Sequence, residues 1–270
     1  MAYAILNEIR LHYEMAGSGD AVLFIAGLSM PGAMWAPQVK ALSPSFRVIT
    51  FDNRGVGETD LPPEPVYTMA QLADDAAALL RELKIARAHV VGLSMGGTVA
   101  QELALRDREV VRSLTLVSTW AKADARFLQV VESWVSLASR VPIEERYRHV
   151  FFPWIFGPEF FERKDNVETA FRGALAYPHQ TKAEAIERQA RGIYSWNGTR
   201  VSRLGTIKVP TLIVAGKHDI VTPPEFARAL AKLIRRARLT LVPGGHWLIM
   251  EQADAFNRAV IRFLKSVRSK

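Results

Sequence analysis

The stretch HVVGLSMGGTVAQ (residues 89–101) sets one serine among glycines, directly after a hydrophobic run and directly before a helix-like pattern. Two readings compete for it. In one, the glycines of a strand-to-helix loop merely allow close packing. In the other, Ser94 sits on a strained elbow that presents a nucleophile. The pattern G-x-S-x-G, here Gly92-Leu93-Ser94-Met95-Gly96, is a weak signal by itself. Its setting is stronger, because AHVV precedes it and GGTVAQELALRD follows, the strand–turn–helix context that an elbow requires. Side chains at positions 92 and 96 would crowd so sharp a turn. A helix starting just beyond Ser94 also aims its first amides, and their partial positive charge, at the serine.

Outward from this stretch, short apolar runs alternate with helical patterns. AVLFIAG (21–27), FRVITFD (46–52), AHVVGL (88–93), SLTLVS (113–118), PTLIVAG (210–216) and RLTLVPG (238–244) are rich in β-formers. They are apolar throughout, as a parallel sheet covered on both faces demands. Thr68 to Lys84 carries Met69, Leu72, Ala76, Leu79, Leu80 and Leu83 at helical spacing. Pro223 to Arg235 opens with proline near the first turn, and Gln252 to Val267 runs into a basic tail, both favourable to helix polarity. The alternation predicts a doubly wound α/β fold with a mostly parallel sheet and helices on both faces.

One region breaks the rhythm. From Trp120 to about Arg200 no strand-like run occurs, and the segment holds 14 of the chain's 25 Phe, Trp and Tyr residues. This predicts a helical lid (120–200) inserted between two strands of a core formed by 1–119 and 201–270. Such a lid must pack itself and still leave an apolar inner face.

Composition bounds the rest. Half-hydrophobic and about a quarter charged, 270 residues suit one large α/β domain, or a domain with an inserted lobe, that needs no staple. With no cysteine, disulfide frameworks, cysteine–zinc sites and a thiol nucleophile are excluded. The first residues, MAYAILNEIRLHYEMAG, meet charge before any stretch long enough for a signal sequence, and no run approaches a membrane span. A cytoplasmic protein without membrane contact is expected. The net charge of +8 is scattered, its densest cluster being RRAR at 235–238, so nucleic acid is not the expected partner.

A serine hydroxyl is a poor nucleophile until a base takes its proton. Of the six histidines, only His246 lies in a loop after a late strand (LTLVPGGHW) and before the last helix, where a distant base could fold back onto Ser94. The base must be held in one tautomer by a carboxylate, and Asp219 in LIVAGKHDIVTPP follows the preceding strand in a similar loop. His218 beside it reads as an exposed loop residue. The order Ser94, Asp219, His246 is that of α/β architectures rather than of chymotrypsin or subtilisin. A tetrahedral intermediate also needs two N–H donors, one of them the Met95 amide next to the nucleophile.

Together these residues resemble the α/β-hydrolase-fold family almost end to end. FDNRGVGETD (51–60) is similar to the family's D-x-R-G-x-G-x-S segment, with Thr59 where serine is usual, and GLSMGG, AGKHDIVTPP and PGGHW resemble its nucleophile, acid and base segments. The flavour is closest to 3-oxoadipate enol-lactonases and related small esterases. The resemblance implies a second oxyanion donor at the Leu28 amide, although the family's frequent His-Gly pair is Ala26-Gly27 here. It implies a Ser-His-Asp hydrolase acting on a small or medium ester or lactone, without metal or organic cofactor. Candidate substrate contacts are Ser29, Trp120, Trp134, Trp154 and Trp247. Arg54 reads as structural, or as a brace of the oxyanion loop. Meta-cleavage C–C hydrolases and cofactor-free perhydrolases would use the same triad. A hydrolase-fold receptor with slow turnover is the alternative of another class. The natural substrate and any homo-oligomeric state stay open.

Overall fold

In the computed structural model, which describes residues 2–267, eight strands form one sheet. They are β1 (Ala2–Leu6), β2 (Ile9–Ala16), β3 (Ala21–Ile25), β4 (Arg47–Phe51), β5 (Ala88–Leu93), β6 (Val111–Val117), β7 (Thr211–Gly216) and β8 (Arg238–Val242). The sheet order is β1-β2-β4-β3-β5-β6-β7-β8. Pairs involving β2 are antiparallel and all others parallel.

All six apolar runs of the sequence are strands. Their side chains alternate between two cores, one on each face. Leu23, Ile25, Val90, Leu114, Leu116 and Ile213 enter one, while Val22, Phe24, Val91, Val117, Leu212 and Val214 enter the other. In the central strands both parities are buried, and each such apolar side chain stabilises by about 1.5–3 kcal/mol. The helices α1 (Ala36–Leu42), α2 (Met69–Glu82) and α3 (Met95–Arg106) follow β3, β4 and β5. After β6 come α4 (Ala125–Ala138), α5 (Lys164–Ala176) and α6 (Ala183–Trp196), with short helical turns between α4 and α5. The core closes with α7 (Pro224–Leu233) and α8 (Ala253–Ser266). Helices α2, α3 and α7 cover the first face, and α1 and α8 cover the second.

Local chemistry places the helix boundaries. The Thr68 hydroxyl caps α2 by accepting from the Gln71 amide, and Asp124 caps α4 by accepting from Phe127. Pro224 stands at the start of α7, where its missing N–H costs nothing.

The N-terminal hairpin was not anticipated from the sequence pattern. Strands β1 and β2 turn at Asn7-Glu8, both with positive φ (47° and 64°), as a two-residue hairpin of primed type requires. Ala4 and Leu6 are buried against Ile9 and Leu11, and His12 is buried as well, whereas Ile5 is 74% exposed. Among the described residues, no helix is long and apolar enough to cross a membrane.

One buried titratable group gives the fold a pH signature. His89 of β5 is fully buried, its Nδ1 lying 2.7 Å from the Ser113 hydroxyl of β6. Burial, with Arg112 nearby, lowers its pKa from 6.5 to about 4. Between these values the unfolded chain binds a proton that the folded chain does not, so stability falls as pH drops from 6.5 toward 4. The loss should approach about 3 kcal/mol. Urea unfolding at pH 7.0 and 4.5 measures it. The His89→Leu variant should show a flatter pH dependence, whatever its stability at neutral pH; an equally steep one would contradict this origin.

Candidate active site

At the end of β5 the backbone turns abruptly into α3 through Ser94, whose φ of 54° and ψ of −119° are unfavourable for a residue with a side chain. The neighbourhood holds it there. Its amide donates to the Val117 carbonyl (2.9 Å), and its carbonyl accepts from the Gly97 amide (2.9 Å) and the Thr119 hydroxyl (2.7 Å). A Cβ at Gly92 would lie 2.2 Å from the Gly96 oxygen, and one at Gly96 would lie 2.2 Å from the Ile25 oxygen. These two glycines therefore serve approach of backbone to backbone.

The hydroxyl of Ser94 lies 3.0 Å from His246 Nε2, and His246 Nδ1 lies 2.9 Å from Asp219 Oδ2. Asp219 stands just past β7 and His246 just past β8, so neighbouring parallel strands deliver both to the same sheet end as Ser94. The two loops are zipped together by Lys217 N to Val242 O (2.8 Å) and His218 N to Gly244 O (3.0 Å). Asp219 and His246 are both buried. The carboxylate accepts from the amides of Val221 and Thr222 and from the Thr222 hydroxyl. With its acceptor sites filled this way, the remaining partner for Oδ2 is the imidazole. An Nδ1–H donated to Asp219 leaves Nε2 as the acceptor facing Ser94.

On the facing side, the loop after β3 carries Leu28. Among the described residues, neither its amide nor that of Met95 donates to a protein acceptor. The loop is braced from three directions. Asn53 donates to the Ala26 carbonyl (3.2 Å), Gln189 of α6 accepts from the Ser29 amide (2.9 Å), and the Thr181 hydroxyl donates to the Ser29 carbonyl (2.8 Å). The side chain of Arg54 points away, to Asp75 and Glu64, while its carbonyl accepts from Gln189.

A small pocket of about 50 Å³ lies directly over Ser94, with Leu28, His246 and Leu93 around it and Trp134, Phe151 and Ile186 above. It is walled in common with a larger cavity of about 570 Å³ by Ser29, Met30 and Trp247. Of the sequence-derived substrate contacts, Ser29, Trp134 and Trp247 line the small pocket. Trp120 and Trp154 line neither space. Trp120 is instead fully buried against Phe127. His218 is exposed beside Glu159. Among the described residues, no cluster of three or more His, Cys, Asp or Glu side chains could hold a metal ion.

The sequence reading missed two groups that hold this geometry, Gln189 and Glu251. One Glu251 oxygen accepts from the Gly245 amide (2.8 Å), next to His246, and the other from the Gly157 amide (2.9 Å), between α4 and α5. The Trp247 amide donates to the Ile155 carbonyl (2.8 Å) beside this clamp. Burial pushes the Glu251 carboxyl above its usual pKa, against the pull of the two amides. No sequence pattern marks either residue, because most of their partners are backbone groups far away in the chain.

A model of the α/β-hydrolase fold matches residues 20–253. A relative described as "Putative carbamate hydrolase RutD", from Azorhizobium caulinodans, is 32% identical, over 97% of this chain and 98% of its own. The crystal structure of the enol-lactonase from Burkholderia xenovorans LB400 superposes with a TM-score of 0.87 at 32% identity, covering 98% of this chain and 100% of that one. A thermophilic esterase from Thermogutta terrifontis superposes at 0.86 with 29% identity, covering 99% of both chains.

The Glu251 clamp has a measurable consequence. Glu251→Ala leaves two buried amides without an acceptor, each costing about 1–3 kcal/mol. Urea unfolding should show a destabilisation of about 2–4 kcal/mol, with a smaller loss for Glu251→Gln, which keeps one carbonyl oxygen. Equal stability of Glu251→Ala and the parent would show that water replaces the clamp.

Proposed function

The chain belongs to the α/β-hydrolase fold family, and on that premise we propose that it is a serine hydrolase cleaving a small or medium carboxylic ester or lactone. The observation that carries this reading is the hydrogen-bonded line Ser94–His246–Asp219, which ends beneath the pocket and beside two amides with no acceptor among the described residues.

In this mechanism His246 Nε2 takes the hydroxyl proton as Ser94 Oγ attacks the substrate carbonyl carbon. The carbonyl oxygen becomes an oxyanion held by the Leu28 and Met95 amides, with the N-terminus of α3 adding its positive end. Collapse breaks the bond to the alcohol oxygen, which leaves with the proton from His246. Water then gives its proton to the same nitrogen, its oxygen attacks the acyl carbon, and the acid departs as the proton returns to Ser94. The sum is ester plus water to acid plus alcohol. Asp219 holds the imidazole in the tautomer that accepts at Nε2 and stabilises the imidazolium. The helices within 120–200 act as a lid whose aromatic inner face excludes water and shapes the substrate.

The relatives named above support hydrolysis at an acyl carbon; a carbamate differs from an ester only by the amine on that carbon. Meta-cleavage C–C hydrolysis and peracid formation would run on the same three side chains. A panel of p-nitrophenyl esters, lactones, aryl carbamates and a vinylogous 1,5-diketone separates these readings. Ester or lactone turnover should dominate, and Ser94→Ala should lower it by at least about 10³-fold, with Asp219→Asn near 10⁴-fold. Activity indifferent to Ser94→Ala would overturn the serine mechanism. Rapid diketone cleavage with negligible ester turnover would transfer the assignment to C–C chemistry. Negligible turnover of every class would favour a ligand receptor.

A further inference from the structure

Two spaces of very different size meet at Ser94. The inner one, about 50 Å³, has room for roughly four water-sized groups, since one such group needs ~10–15 Å³ by this measure. Its roof is Trp134, Phe151, Ile155 and Ile186, all four in the aromatic-rich segment and buried to 7% exposure or less. The outer one, about 570 Å³, falls in the range of sites for drug-sized ligands. It lies between the start of α1 and helix α5, beyond Ser29, Met30 and Trp247.

The walls of the outer space are chiefly apolar. Phe160 stacks on Phe156 with ring centroids 3.7 Å apart, Phe156 meets Trp247 at 5.4 Å, and Met30 and Met34 face them. Its rim at Asp165, Thr169 and Gly173 is exposed, so this space opens to solvent. Charge is just as informative. None of the described residues lining either space is Lys or Arg, and the one carboxylate is Asp165. Arg148 and Arg172 both bond Glu168, and Arg148 also lies over the Phe171 ring. An anionic substrate would enter without a counter-charge, which is costly in an apolar site.

The two halves of an ester have different needs. The acyl group stays bound to Ser94 while the alcohol departs and water arrives, so the alcohol belongs on the side open to solvent. The departing oxygen also needs the His246 proton, and Trp247, the residue after His246, is a wall of the outer space. Resting on the serine-hydrolase reading, we propose that the inner space holds a short acyl group and the outer space the alcohol. The substrate class is then an uncharged ester of a short acid, of up to roughly four heavy atoms, with an extended apolar or aromatic alcohol. Carboxylate-bearing lactones and dienoates are disfavoured.

The isomeric pair octyl acetate and methyl nonanoate tests this, because the two differ only in which half is long. Acid release followed by pH-stat should give at least tenfold higher kcat/KM for octyl acetate. Benzyl acetate should exceed 4-(acetoxymethyl)benzoate, its carboxylated counterpart, by a similar factor. Gly173 supplies the structural arm, since a Cβ added there meets nothing within 4 Å. The Gly173→Trp variant should lower the octyl acetate to ethyl acetate ratio of kcat/KM at least tenfold. Preference for methyl nonanoate, or a Gly173→Trp effect that follows acyl length, reverses the assignment of the two spaces. Preference for the carboxylated ester overturns the charge argument. Labelling of Ser94 by a fluorophosphonate keeps the two levels apart: labelling without turnover of these esters sinks the substrate class alone, while absence of labelling sinks the serine-hydrolase reading beneath it.

Discussion

The site depends on one unfavourable backbone conformation. Ser94 is held at positive φ between a strand and a helix, and that geometry survives only because its own amide and carbonyl are tied to Val117, Gly97 and Thr119. The same junction brings Gly96 against the carbonyl of Ile25 in β3. The serine, the first turn of α3 and the loop carrying Leu28 are therefore fixed to one another by main-chain contact. Side-chain rotamers have little freedom to blur that arrangement. What the sheet contributes is registration: parallel strands β3, β5, β7 and β8 all end at the same edge, and each hands one element of the site to the loop that follows it.

Around this fixed point, polar groups act through backbone rather than through each other. Asp219 is held by two amides and a hydroxyl before it meets His246. Gln189 reaches from α6 to join the Ser29 amide and the Arg54 carbonyl. Glu251 spans Gly157 and Gly245. Each places a buried or half-buried side chain where main-chain donors or acceptors would otherwise be unmatched, and leaving such groups unmatched costs more than a typical hydrogen bond contributes. The segment between β6 and β7 is thus joined to the core by hydrogen bonds as well as by apolar contact.

How much of this was legible follows from which constraints leave a trace in local sequence. The central strands did, because burial on both faces favours unbroken apolar runs such as AVLFI and LIVA. The elbow did, because two backbone contacts demand glycine at 92 and 96. The N-terminal hairpin did not. Its strands lie at the sheet edge with half their residues exposed, and Asn7-Glu8 lacks the glycine that usually marks such a turn. Ser94, Asp219 and His246 could be placed from chain order, and the structure brings them within hydrogen-bond distance. The tryptophans separate differently. Aromatic character alone cannot distinguish Trp120, which fills the interior against Phe127, from Trp134, which faces the pocket. Gln189 and Glu251 were invisible because a bond to a distant amide imposes no spacing on the chain.

The bond from Trp247 to Ile155 and the Glu251 clamp have a consequence for how this scaffold could diversify. Residues 155–157 and the histidine loop are joined by these hydrogen bonds, so remodelling the roof there would also disturb the loop that carries the imidazole. Helix α5 carries no hydrogen bond to the loop of Asp219 or to that of His246 among the described residues, yet it forms a wall of the large cavity. Drift in α5 could alter which molecules fit while leaving the reactive geometry untouched. The molecule thereby separates a fixed inner geometry from an adjustable doorway, and descendants that admit other molecules would be expected to change α5 first.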